Sequence, residues 1–184
     1  QDDYQLDSTM TWLQKEEYRI KQLPARYQLA ITCAFEHFPA MLGEYILMHP
    51  ELTESFDLEA AKLWLWHAVE ESEHKSVAFD AYQAVYDDLK VRRQIMLSIT
   101  PAFFSLIGSS MARLFWQDRR ASVPRVRDNL RGLWIMTKMG VTLVPEYLEY
   151  FKADFHPAQR DRTQLLDQWR DRLASGTLQL KSAA

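Results

Sequence analysis

The sequence predicts an all-α fold, a bundle of about four long helices with short terminal helices. Three observations point there. Five glycines and seven prolines in 184 residues are too few turn formers for a sandwich or barrel of short strands. Apolar residues recur at helical rather than alternating spacing over long uninterrupted runs. At 47% hydrophobic and 26% charged, the chain can bury a full core, and its length suits one domain spanning residues 1–184.

Residues 1–22 are polar and mixed in charge, which predicts only a short opening helix. Pro24 suits a first helical turn, where its missing N–H costs nothing, so a long helix is expected from Pro24 to His49, closed by His49-Pro50. A loop to Phe56 leads to Asp57, an expected N-cap, with Glu59 near the positive end of the next helix. That second long helix is expected to reach about Leu89. A third pattern covers 91 to about 121, and a fourth starts at Pro124 and lasts to about Phe155, where His156-Pro157 stops it. Leu165, Leu166, Trp169 and Leu173 then form the apolar face of a short helix expected to pack back on the body.

The third helix is unusual because Ile95 to Met111 carries no charge, close to the lower length limit for a membrane span. Its serines, Thr100, Pro101 and Gly108 dilute it, so a core helix apolar on most sides is expected. Peripheral membrane contact ranks ahead of a true span. Arg113, Arg119, Arg120, Arg125, Arg127 and Arg131 follow, interrupted by Asp118 and Asp128. They are expected to form a solvated turn, with a phosphate or lipid-headgroup patch as the alternative.

With 22 basic and 25 acidic side chains, the net charge of −3 argues against nucleic acid as a main partner. The single cysteine, Cys33, excludes an intramolecular disulfide framework and a cysteine-based zinc site. Together with an opening Gln-Asp-Asp-Tyr that lacks a basic, apolar leader, this predicts a cytoplasmic location. The sequence has no Gly-rich phosphate loop, serine nucleophile elbow or His-Glu-x-x-His.

The chemistry is concentrated in Trp64-Leu-Trp-His67-Ala-Val-Glu70-Glu71-Ser-Glu73-His74-Lys75, which sets Glu71 and His74 three apart on one helix face. At about 100° per residue, Ala60, Trp64, His67, His74, Ala78, Tyr82 and Val85 fall within about 60° of Glu71. This stripe is expected to be buried, and ionisable groups in an apolar core demand pairing or a metal. Glu70 lies at its edge, Glu73 is expected to face solvent, and Lys75 fits only by escaping or by pairing with a carboxylate. On the preceding helix Glu36 sits among Ala25, Leu29, Thr32, Ala40, Gly43 and Leu47, with Pro39 expected to kink the axis. A Glu on one helix and Glu-x-x-His on the next is half of the di-metal carboxylate arrangement of ferritin-like bundles.

Three stretches, Leu29 to Phe38, Trp64 to Asp80 and Asp154-Phe-His156-Pro157, resemble the bacterial family of predicted metal-dependent hydrolases, a ferritin-like group. The resemblance covers most of the chain. It implies that Glu36, Glu71 and His74 are metal ligands and that His67 is a further ligand or a partner orienting one. Members of that family usually carry, ahead of this region, another helix pair with its own Glu and Glu-x-x-His. Residues 1–23 do not supply it, and Pro39 stands where the family has a small hydroxyl residue. Three accounts follow: the chain lacks an N-terminal helix pair, two copies share a site across a two-fold axis, or the second metal has been lost.

Other candidates are Glu146, which follows Pro145 and could complete the site, and His156, which could cover it from a loop. His37 is expected at a surface or interface, and Cys33, Trp64 and Tyr82 in the core. The expected function is that of a di-iron enzyme, with manganese as the other metal, activating dioxygen toward a small apolar substrate. One alternative is hydrolysis by a metal-activated water. The other is a non-catalytic helical protein that binds a membrane or a partner.

Overall fold

The structure, a computed structural model, describes residues 7–53, 56–121 and 126–176. Its helices are α1 (Asp7–Lys21), α2 (Ala25–Met48), α3 (Leu58–His74), α4 (Val77–Val85), α5 (Leu89–Ala121), α6 (Val126–Glu149) and α7 (Thr163–Ala174), with 3-10 turns at Pro50–Thr53 and Pro157–Gln159. No strand occurs among the described residues. The all-α bundle is thus as expected, with α2, α3, α5 and α6 as its long members.

Helix α2 is the hub, because its sequence is apolar or small on nearly every side and it packs against α3, α4, α5 and α6. Ala34, Phe38, Met41 and Tyr45 face Met96 of α5, Leu143 of α6 and Tyr150 just beyond it. Phe38 stacks on Phe103 at 4.3 Å between ring centroids. The helix continues through Pro39 without interruption. Gly43 permits the closest approach to α3, since a Cβ there would stand 3.0 Å from the backbone oxygen of Ala68.

Asp57 caps α3 as expected, its carboxylate accepting from the Ala60 N–H at 2.9 Å. The expected helix from Asp57 to Leu89 is interrupted at Lys75-Ser76 and resumes as α4. Around the break the Lys75 ammonium reaches Glu44 on α2, while Phe79 and Tyr82 of α4 are buried against α2 and α5. The Cys33 thiol donates to the Ala78 carbonyl and is buried, which pushes its pKa up to about 12 and fits an inert core cysteine.

The buried face of α3 differs from the expected one. Ala61, Leu65, Ala68, Val69 and Ser72 are buried, a stripe rotated by about 100° from Glu71. Trp64, expected in the core, is 50% exposed, and His67 and His74 are also exposed. Close packing at Gly43 selects the face of small residues around Ala68 and leaves the bulkier Trp64 face at the rim.

Asp88 caps α5 by accepting from the Val91 N–H, and the Tyr82 hydroxyl donates to the Asp88 carbonyl. Only 6% of the most apolar stretch of α5 is buried, so the expected core helix instead presents much of its apolar surface. Its inner side holds Val91, Met96 and Phe103; Leu97 and Phe104 point outward. The expected start of α6 at Pro124 lies outside the described residues, as do the side chains of Arg119, Arg120, Arg125 and Arg127. Helix α6 ends at Glu149, before the expected Phe155. Arg92 and Arg93 of α5 donate to the carbonyls of Lys152 and Phe151 just beyond it, substituting for continued helix bonds. The chain then turns through His156-Pro157 to α7, whose Leu166 and Trp169 pack on Leu47, Leu65 and Val69 as the amphipathic pattern predicts.

Candidate functional site

The rim between α2 and α3 gathers most of the residues singled out by the motif. His67 Nε2 lies 3.3 Å from Glu71 Oε1 one turn along α3, with the Trp64 ring edge-on to the imidazole at 6.4 Å. An open groove of about 120 Å³ runs beside them, walled by Pro39, Leu42, Gly43 and Ile46 of α2. Glu36 of α2 is half-buried. Burial raises its pKa, the charge of Glu71 raises it further, and His74 opposes both. Two carboxylates therefore repel each other across the α2–α3 contact, with an imidazole close enough to be felt by one of them. Glu70 is half-buried on α3.

The donor set of two carboxylates and one imidazole, without thiolate, is chemically suited to iron or manganese. Among the described residues, however, no three His, Cys, Asp or Glu side chains converge where one ion could be held. The rim thus offers suitable donors in an open arrangement.

Glu146 and His156 belong to a different place. Glu146 pairs with Arg160 at 2.9 Å, and Arg160 also binds Glu149 at 2.9 Å. Both ring nitrogens of His156 are engaged: Nδ1 accepts from the Ala158 N–H at 3.1 Å, and Nε2 lies 2.6 Å from Asp80 Oδ1. Accepting at Nδ1 leaves the proton of the neutral ring on Nε2, which donates to Asp80. This histidine caps a turn and ties it to α4.

Nearby is a buried cluster that the motif analysis did not anticipate. Glu44, only 1% exposed, accepts from Lys75 Nζ at 2.7 Å and from Arg162 Nε at 3.1 Å. Lys75 also donates to the Arg160 carbonyl at 3.0 Å, so pairing with a carboxylate, one of its two expected fates, is the one realised. His37, expected at a surface, is instead buried between Tyr150 and Phe155. Burial and the charges of Arg160, Arg92 and Lys75 lower its pKa to about 3, so it is neutral at ordinary pH. The cavity beside it measures about 20 Å³, far below the size of an organic substrate. The cluster joins α2, the end of α3, the end of α6 and the segment before α7. Its one sequence signal was Lys75, a charge that the expected stripe of α3 admits only by escaping or by pairing with a carboxylate. Glu73 likewise pairs with Arg170 of α7 at 2.7 Å, where full solvation was expected.

No curated protein and no solved structure matches this chain. A family model described as "Predicted metal-dependent hydrolase" matches residues 2–161, most of the sequence. The chain belongs to that family of predicted metal-dependent hydrolases.

Proposed function

We propose that this protein is a metal-dependent hydrolase whose metal is held at the α2–α3 rim by Glu36, Glu71 and His74. The observation that carries the proposal is the placement of Glu36 on α2 and of Glu71 and His74 on the adjoining α3, in a chain that the metal-dependent hydrolase family model matches over residues 2–161. When bound, a divalent metal supplies Lewis-acid polarisation of a carbonyl or phosphoryl group and acidifies water. Glu36 and Glu71 would contribute the anionic donors and His74 the neutral one. His67, 3.3 Å from Glu71, orients that carboxylate. Pro39, Leu42, Ile46 and Trp64 provide an apolar wall for the substrate. Three protein donors leave coordination positions for substrate, water or further protein ligands.

A second reading, dioxygen-dependent oxidation at a di-iron centre, is supported by the pattern of one Glu on α2 and Glu-x-x-His on α3 without thiolate. The two separate experimentally. Elemental analysis of protein purified without chelator is expected to find about one metal per chain or more, lost in Glu71→Ala. Hydrolysis of ester and phosphoester probes is expected to persist without oxygen and with redox-inert metals. Activity confined to iron and oxygen would select the oxidase, and full metal content in Glu71→Ala would defeat the ligand assignment.

A further inference from the structure

The outward faces of α5 and α6 share a feature that the metal rim does not use. On α6, Leu130, Leu133, Trp134, Val141, Val144 and Leu148 are all exposed, Trp134 by 63%. Their spacings of 3, 4, 11, 14 and 18 from Leu130 place them within about 60° of one another's mean direction. The opposite side of the same helix holds Met139 and Leu143 against the core. Helix α6 is therefore apolar on two faces, only one of which the fold covers. On α5, Leu97, Phe104 and Met111 recur every seven residues and are exposed as well.

Three further observations indicate what covers these faces. Leu89–Leu114 is long and apolar enough to cross a bilayer, with a mean hydropathy of 1.6, yet only 6% of its apolar stretch is fully buried. A core helix of a soluble bundle would meet the first condition and fail the second. The inner side of α5 is committed to the fold through Val91, Met96 and the Phe38–Phe103 stack, so the helix cannot leave the body to cross a membrane. Finally, residues 113–138 hold seven basic and two acidic side chains in a chain that is acidic overall. Exposed Trp116 and Trp134 lie within that same basic stretch. Tryptophan beside basic residues at the border of an apolar surface is the pattern of an interfacial anchor.

We propose that the outer faces of α5 and α6 dock on an anionic lipid bilayer, lying in its headgroup region without crossing it. The apolar stripes enter the acyl boundary, and Arg131 and Lys138, exposed on α6, meet anionic headgroups. Docking of this kind would carry the rim of α2 and α3 to a membrane surface, where apolar substrates concentrate.

The test is flotation of the purified chain with vesicles of phosphatidylcholine alone and of phosphatidylcholine with phosphatidylglycerol, together with its native mass without lipid. The wild-type chain is expected to float with the anionic vesicles, to bind the neutral ones at least tenfold more weakly, and to be released by high salt. Leu133→Glu with Trp134→Glu is expected to weaken flotation at least tenfold while leaving the circular-dichroism spectrum and melting unchanged. Phe104→Glu, a separate exposed site on α5, is expected to do the same. Failure of the wild type to float, equal binding to both vesicles, or unaltered flotation of both variants would overturn the proposal. A dimer that these variants dissociate, with no vesicle binding, would assign the surface to a second copy of the chain and overturn it too.

Discussion

Glu36 and Glu44 lie about two turns apart on α2, and the fold treats them in opposite ways. Glu44 is withdrawn from water and meets two cations, Lys75 and Arg162, one on each carboxylate oxygen. Glu36 is half-buried at an open rim, where burial and the charge of Glu71 both raise its pKa. A buried charge that the protein itself neutralises serves the architecture; like charges held near one another at an open rim are candidates for binding something else. By that criterion the proposed site falls at the α2–α3 rim, and the better-formed ion-pair cluster is a clamp holding the segment before α7.

The largest test of this contrast removes the clamp. Glu44→Ala leaves Lys75 and Arg162 without their shared partner in a largely buried setting and is expected to cost about 3–5 kcal/mol in denaturant unfolding. A loss below about 1 kcal/mol would mean that the cluster is solvated and that the contrast fails.

An intermediate effect comes from His37. Its folded pKa of about 3 lies below the ordinary 6.5, so above pH 6.5 both states are neutral and no penalty arises. As pH falls from 6.5 toward 3, only the unfolded state takes up the proton, and stability drops by about 1.4 kcal/mol per pH unit from this group. His37→Phe is expected to flatten the pH dependence of unfolding in that window. An unchanged slope would show that the imidazole is not buried neutral.

The smallest effect belongs to the rim. Glu36→Gln removes the repulsion with Glu71 and, because the site is partly solvated, is expected to stabilise the metal-free chain by only a few tenths of a kcal/mol. The same change should lower metal content. Destabilisation of the metal-free chain by Glu36→Gln would reverse the sign of the proposed interaction and recast Glu36 as a structural residue.

Much of the helix inventory was legible because caps and stops are local. Asp57 before an apolar run and His49-Pro50 each act within a turn of their own position, whereas α6 ends at Glu149, ahead of the expected stop at His156-Pro157. The spacing of Leu166 and Trp169 likewise foretold which face of α7 is buried. The buried face of α3 was not legible in the same way. Its wheel offers two credible stripes, one with Trp64 and the motif, the other with Ala61, Leu65, Ala68 and Val69. The 3.0 Å approach at Gly43 and the packing of α7 on Leu65 and Val69 select the second. That choice moves His67 and His74 from an expected core to an exposed rim.

Local sequence dictates the helical class, the Asp57 cap, the stop at His49-Pro50 and the presence of a Glu and a Glu-x-x-His pair on adjacent helices, since each follows from neighbours in the chain. Tertiary packing decides which carboxylate is clamped and which stays at an open rim. Glu44 and Arg162 are 118 residues apart, and Glu36 and Glu71 belong to different helices. Electrostatic pairing depends on distance through space, which no local pattern encodes.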